Sequence, residues 1–437
     1  MKKQIPKRLL CLALTVFLII PLLAIMPVSV NALEDPEVSN TTAAYLYNLE
    51  NEKVVYKYNA DEPVCPTSTV KLMTGIIAIE TLRDRMDEVV TVTDEMRSYF
   101  AGNSIGLQVG ETVVLKDMIG ALLVNGANDA AYVLALTICP TVEEFVMLMN
   151  TRANELGAYN THYANPTGLH HDEMMTTAAD TATIALFAYN LEGFMDYAGL
   201  TRYTISETNL NVARAVYNRN ALLSNSEEKK YFYEKARGMN AGSTYEGGYA
   251  VVTTASDGDL TYLAVVLGAQ KVDNTIYSYV NATNMLEWAF ESFMYMDVLS
   301  PDQIMCEIPV TLATGVDHVT MVASDSLTVY LPSDTDLEKE VEYSWVTNVE
   351  SLQAPVKKGD IVGHVTVLYK GEPIGSAKLI TTADIERNEM LFGLYRISEF
   401  TKSKFFIATV VSIVVFSVAY VLGKAYVLGR RSRNRFR

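Results

Sequence analysis

The sequence predicts a mixed α/β (α+β) domain with one sheet covered by helices, then a small all-β domain, then one membrane-spanning helix. Three observations predict it. Two hairpin-like regions, near residues 44–58 and 249–267, bracket a helical middle, and strands from both ends of a domain suggest one sheet with helices laid over it. From Ser300-Pro301 onward, short β-type runs alternate with turns. Near the end, Phe405 to Gly423 runs 19 residues without a charge, close to the ~20 a helix needs to cross a bilayer.

Residues 1–32 have the form of a secretory signal peptide: Lys2, Lys3, Lys7 and Arg8, an apolar run from Leu9 to Met26, and Val30-Asn31-Ala32 as a cleavage site. Cys11 in that run has no lipidation context. The first domain is expected over 33–299. Ala44 to Leu49 and Lys53 to Tyr58 pair across a polar turn, and Tyr249 to Ala255 and Leu260 to Leu267 pair across Asp257-Gly258. Val113 to Leu123, Ala130 to Ile138 and Val142 to Leu156 have helical character between them. Leu286, Ala289, Phe290, Phe293 and Met294 recur at helical spacing and predict a closing core helix.

The β domain is expected over 300–385, with strands in Val319 to Val322, Leu327 to Leu331, Val341 to Val346, Ile361 to Tyr369 and Ile374 to Ile380. Its His318 and His364 lack neighbouring ligand-type residues, so neither metal nor cofactor is expected. Residues 386–404 lead as a stem into the membrane helix, 405–423. The tail 424–437 carries Lys424, Arg430, Arg431, Arg433, Arg435 and Arg437 and no acid, which marks it as cytoplasmic and the body as extracytoplasmic.

The chain has formal net charge −16, although ten of its 35 cations lie in the signal segment and tail. The body between them is more acidic still, which argues against nucleic acid or an anionic membrane surface as partner. After signal removal Cys65, Cys139 and Cys306 remain, an odd number without paired or metal-like spacing, so the fold must rest on its apolar core.

The chemistry centres on Pro66-Thr67-Ser68-Thr69-Val70-Lys71. Residues three apart share a helix face with Cβ atoms ~5–6 Å apart, so a neutral Lys71 amine can take the Ser68 hydroxyl proton. Val70, Leu72, Met73, Ile76, Ile77 and Ile79 make the helix apolar enough to be buried, and burial lowers a lysine pKa. The helix N-terminus also favours negative charge developing near Ser68. Spacing alone does not decide: Ser226 and Lys229 are equally spaced in a polar stretch.

Further fragments appear in order: Asn59-Ala60-Asp61-Glu62, Ala127-Asn128-Asp129-Ala130-Ala131, Asn165-Pro166-Thr167-Gly168-Leu169, Asn218-Arg219-Asn220, Gly247-Gly248-Tyr249, Val265-Val266-Leu267-Gly268 and Ala354-Pro355-Val356-Lys357-Lys358-Gly359. With them the chain resembles the D-alanyl-D-alanine carboxypeptidases of bacterial cell-wall metabolism. These are low-molecular-weight penicillin-binding proteins of the Ser-x-x-Lys acyl-serine superfamily. The resemblance implies a penicillin-binding/β-lactamase-like transpeptidase domain, peptidoglycan stem peptide as substrate and β-lactams as inhibitors. Ser68 would be the nucleophile and Lys71 the general base, with water resolving the acyl-enzyme. A β-lactamase shares the pair but explains neither the β domain nor the anchor.

Two motifs depart from the family pattern. Where it reads Ser-x-Asn, this chain has Gly126-Ala127-Asn128; where it reads Lys-Thr-Gly, it has Asn240-Ala241-Gly242. The lost serine would have helped protonate the leaving amine, an effect worth ~10²- to 10⁴-fold. The lost lysine would have held the substrate carboxylate, worth ~1.5–3 kcal/mol, and helped keep Lys71 neutral. The resemblance still implies an oxyanion hole from the backbone N–H groups of Ser68 and Ser243. Arg219, or the hydroxyls of Ser243 and Thr244, can hold the carboxylate, with the Arg219 fork the better match. Two alternatives stand for Arg219, a structural ion pair or a merely exposed arginine. Asn128 either orients substrate or Lys71, or satisfies buried backbone groups. Two functions follow: a serine D-Ala-D-Ala carboxypeptidase, or a pseudoenzyme that binds stem peptide or scaffolds wall machinery.

Overall fold

The computed structural model describes residues 34–224 and 229–433. The expected signal peptide and Ser226 lie outside the described residues. Two compact units divide between Phe293 and Met294.

In the first unit the two expected hairpins join into one antiparallel sheet. Its strands are β1 (Ala43–Asn48), β2 (Lys53–Tyr58), β3 (Ala236–Thr244), β4 (Gly248–Ser256) and β5 (Thr261–Ala269), ordered β2-β1-β5-β4-β3. The apolar runs of β4 and β5 are buried on both faces, as central strands must be. β3 closes one edge; its Gly, Asn and Ala residues have poor strand propensity, and pairing with β4 imposes the extended form.

Helix α1 (Val70–Leu82) runs through the core and buries eleven residues around its circumference, hence its almost wholly apolar sequence. Packed about it are α2 (Asn128–Ile138), α3 (Val142–Glu155) and α4 (Ala178–Asn190). Side chains cap the last two: Thr141 accepts the Glu144 N–H at 3.2 Å, and Thr177 accepts the Asp180 N–H at 3.0 Å. The expected helix over Val113–Leu123 is broken up: Thr112–Val114 is a strand, Leu115–Gly120 is α-helical, and Ala121–Asn125 is a π-turn ending at Gly126. The closing helix α5 (Tyr277–Ser292) stops earlier than its spacing suggested. Phe293 and Met294 instead begin a strand, Phe293–Leu299, that pairs with Leu327–Pro332, because sheet pairing overrides a short helical pattern.

The second unit contains a six-stranded sheet ordered Val341–Thr347, Ile361–Tyr369, Glu372–Thr381, His318–Ala323, Ile304–Thr311 and Leu352–Gln353. Inward residues Val319, Met321, Val365, Val367 and Leu379 build its own core. The expected stem is largely helix α6 (Glu389–Lys402), capped by Asn388. After Ser403 the chain continues as α7 (Lys404–Arg433), in which an 18-residue stretch within Lys404–Leu428 has mean hydropathy 2.6 and no buried residue. At ~1.5 Å per residue it is long enough for a ~30 Å hydrocarbon layer. Cys65, Cys139 and Cys306 are all free.

Candidate active site

Ser68 sits in a tight turn, Thr67–Thr69, that runs directly into α1. The preceding Thr67 has φ of +50°, a left-handed conformation that costs a residue with a Cβ ~1–3 kcal/mol and is characteristic of functional turns. Thr69 stabilises the turn by donating from its backbone N–H and its hydroxyl to the Pro66 carbonyl, at 3.1 and 2.6 Å.

Lys71 follows one turn later and is only 2% exposed. Its ammonium donates to the carbonyl of Thr167, a residue 96 positions away. Burial first, and the Arg219 cation second, lower its pKa to about 7. The Thr167 carbonyl is itself held in place. Asn165 Oδ1 accepts from Thr167 N, Thr167 Oγ1 and Gly168 N at 3.1, 2.8 and 2.8 Å, while its Nδ2 donates to the Leu169 carbonyl at 2.8 Å. This Asx-type turn explains Asn165-Pro166-Thr167-Gly168-Leu169, to which the sequence reading attached no role.

The second motif lies opposite. Gly126 has φ of +71°, and a Cβ built on it would stand 4.0 Å from Lys71 Cδ, 4.0 Å from Arg219 Cγ and 3.9 Å from Asn103 Nδ2. A serine at 126 would therefore face Lys71 with room for its hydroxyl, at the cost of a left-handed backbone. Asn128 is 4% exposed; its Nδ2 donates to the Ala101 carbonyl at 2.8 Å, and its Oδ1 is buried without a protein partner. Asn103 went unnoticed in the sequence, yet its Nδ2 donates to the Asn125 carbonyl at 2.7 Å and its carbonyl accepts the Asn128 N–H at 2.7 Å.

The third motif lies on β3. Gly242 passes so close to the nucleophile that a Cβ there would stand 2.3 Å from Ser68 Oγ, so only glycine fits. Asn240 is 4% exposed and its Oδ1 is buried without a protein partner; Ala241 is buried beside it. Ser243 is exposed, and Thr244 Oγ1 accepts the Gly247 N–H at 2.9 Å.

Arg219 is exposed, and among the described residues no carboxylate pairs with it, which leaves its guanidinium available to a ligand. Its backbone is fixed: its N–H donates to the Val124 carbonyl at 3.1 Å, and its carbonyl accepts the Tyr279 hydroxyl at 3.1 Å. Ser68, Lys71, Gly126, Asn128, Arg219 and Gly242 through Thr244 line one cleft of about 210 Å³; Ala241 joins them, whereas Asn240 is not among its lining residues. Among the described residues no group of three or more His, Cys, Asp or Glu side chains is arranged to hold a metal.

Comparison with known proteins places the chain in a family. The family described as D-alanyl-D-alanine carboxypeptidase (peptidase S11) matches residues 29–271, and the penicillin-binding protein 5 C-terminal domain matches 293–387. The D-alanyl-D-alanine carboxypeptidase DacF of Bacillus subtilis is 27% identical over 369 residues, covering 83% of this chain and 90% of its own length. DacC of Escherichia coli is 28% identical over 380 residues, covering 85% and 90%. Among solved structures, penicillin-binding protein 5 of Haemophilus influenzae superposes with TM-score 0.57 at 23% identity, covering 82% of this chain and all of that one, and so shares the fold.

Proposed function

Since the chain belongs to the D-alanyl-D-alanine carboxypeptidase family, we propose that it is a serine-type D-Ala-D-Ala carboxypeptidase that trims the terminal D-alanine of peptidoglycan stem peptides. One observation carries this reading. A buried lysine whose pKa is lowered to about 7 stands three residues after a serine, and both line one cleft. At neutral pH about half of such a lysine is free base and can accept the Ser68 proton.

Ser68 Oγ attacks the carbonyl between the two D-alanines as Lys71 takes its proton. The negative charge forming on the carbonyl oxygen is met by the backbone N–H groups of Ser68 and Ser243. Collapse breaks the C–N bond, D-alanine leaves with a proton returned from Lys71, and water, deprotonated in turn, hydrolyses the acyl-enzyme. Gly126 supplies no hydroxyl for the proton return, so Lys71 must deliver it directly or through water. Arg219 takes the terminal carboxylate in place of the cation missing at Asn240, and Asn128 offers its Oδ1 to a substrate N–H. β-Lactams would acylate Ser68 by the same attack.

The apolar α7 fits a membrane anchor. With a cleaved signal peptide, its basic tail would lie in the cytoplasm and both folded units outside, anchored by a single pass.

The second reading, a pseudoenzyme that binds stem peptide, draws support from Gly126, Asn240 and Ala241. Intact-mass analysis after exposure to a β-lactam tests both. An adduct on Ser68 of the natural protein, absent from Ser68→Ala and Lys71→Ala, supports the enzyme. No adduct at saturating drug favours the pseudoenzyme.

A further inference from the structure

Beside the catalytic cleft lies a larger one of about 850 Å³, and the two share Ser243 and Thr244. It opens at the end of the sheet, where the β3–β4 turn meets the end of β5. Its walls include Cys65, Tyr249, and two charged residues, Glu246 and Lys271. Among the described residues neither charge is held in an ion pair. Tyr245, at the tip of the turn, is 99% exposed.

The direction of a bound peptide follows from β3. Gly242 marks the scissile carbonyl, because that is where the strand passes Ser68. The terminal carboxylate goes to Arg219, whose neighbour Asn220 donates to Thr253, the residue paired with Met239 on β3; that side is toward Ala241, so the rest of the peptide runs the other way, past Ser243 and Thr244. An extended chain advances ~3.3 Å per residue. The residue preceding the two D-alanines thus lies beside Ser243 and Thr244, the two residues that the second cleft shares with the first. In a stem peptide this residue is a diamino acid, whose side chain ends in an ammonium alone or in an ammonium and a carboxylate on one carbon.

Resting on the stem-peptide reading above, we propose that this second cleft is a specificity subsite for a zwitterionic diamino-acid side chain, with Glu246 receiving its ammonium and Lys271 its carboxylate. Both groups are open to water, so each contact should change affinity by about three- to tenfold, between a screened surface pair and a charge-assisted hydrogen bond.

The test uses the full-length protein in detergent and N-acetylated tripeptides ending in D-Ala-D-Ala, with meso-diaminopimelate, lysine or norleucine first. Calorimetric binding to the Ser68→Ala variant separates recognition from turnover, and D-alanine release by the natural protein reports turnover. The expected order of affinity is diaminopimelate, lysine, norleucine. Glu246→Gln should make lysine and norleucine equal, and Lys271→Gln should make diaminopimelate and lysine equal. Equal binding of all three peptides, or an order that both variants preserve, overturns the subsite. D-alanine release at equal rates from all three overturns the subsite but not the carboxypeptidase. The expected order of binding with no D-alanine release overturns the carboxypeptidase but not the subsite. No binding of any peptide overturns both.

Discussion

Replacing Arg219 by alanine should raise the pKa that controls acylation as well as weaken carboxylate binding. The reason is geometric. A Cβ at Gly126 would stand 4.0 Å from both Lys71 Cδ and Arg219 Cγ, which puts those two carbons within about 8 Å of each other. The charges lie two to three bonds beyond those carbons; taken as on the order of 8 Å apart, they interact by about 2 kcal/mol at an effective dielectric of ~20 and about 0.5 kcal/mol in bulk water. Because Arg219 is exposed, the lower part of that range applies, or roughly half a pKa unit at ~1.4 kcal/mol per unit. Burial, the larger cause of the Lys71 shift, remains in the variant. The second-order rate of acylation by a β-lactam, followed across pH, should rise through an acid limb near pH 7 in the natural protein. In Arg219→Ala that limb should move up by about half a unit, while the plateau falls about tenfold through loss of the charge-assisted contact. Arg219→Lys should restore the limb and only part of the plateau, since an ammonium lacks the bidentate fork. Raising the salt should narrow the difference in limb position. A limb that stays fixed in Arg219→Ala would refute the coupling of the two cations, and a natural limb far from neutrality would refute Lys71 as the base.

The remaining predictions concern stability, the nucleophile's surroundings, motif repair and topology. An unfolded lysine holds its proton up to about pH 10.5 whereas buried Lys71 releases it near 7, so this residue makes stability rise with pH between those values; chemical denaturation should show a shallower rise for Lys71→Met. Gly242→Ala should abolish acylation by placing a methyl against Ser68 Oγ, and a retained circular dichroism spectrum would separate this from unfolding. Gly126→Ser with Asn240→Lys and Ala241→Thr should raise D-alanine release in a Ser68-dependent way, but the serine at φ +71° should lower stability by about 1 kcal/mol; a folded triple variant with no gain would count against the motif alignment. External protease on wall-stripped cells should remove the folded body and leave a small membrane-bound fragment, and full protection of the body would refute the proposed orientation.

What the sequence determined by itself is what depends on near neighbours along the chain. Ser68 and Lys71 belong together because a spacing of three is a property of any helix, and the apolar run after them already required that helix to be buried. The strands of β1, β2, β4 and β5 announced themselves through β-branched and aromatic residues between turns, and α7 through an unbroken apolar length. Tertiary structure decided what depends on distant partners. Lys71 finds its acceptor in a Thr167 carbonyl 96 residues on, and Arg219 reaches the same cleft from a loop nearly 150 positions away. β3 is a strand only because β4 pairs with it, and Gly242 is indispensable only because the paired strand passes Ser68. Phe293 and Met294 have helical spacing, yet a partner strand at Leu327–Pro332 takes them into a sheet. Backbone preferences are local and weak, whereas burial, pairing and close approach are collective, so the catalytic pair is legible in the chain and its surroundings emerge only when the chain folds.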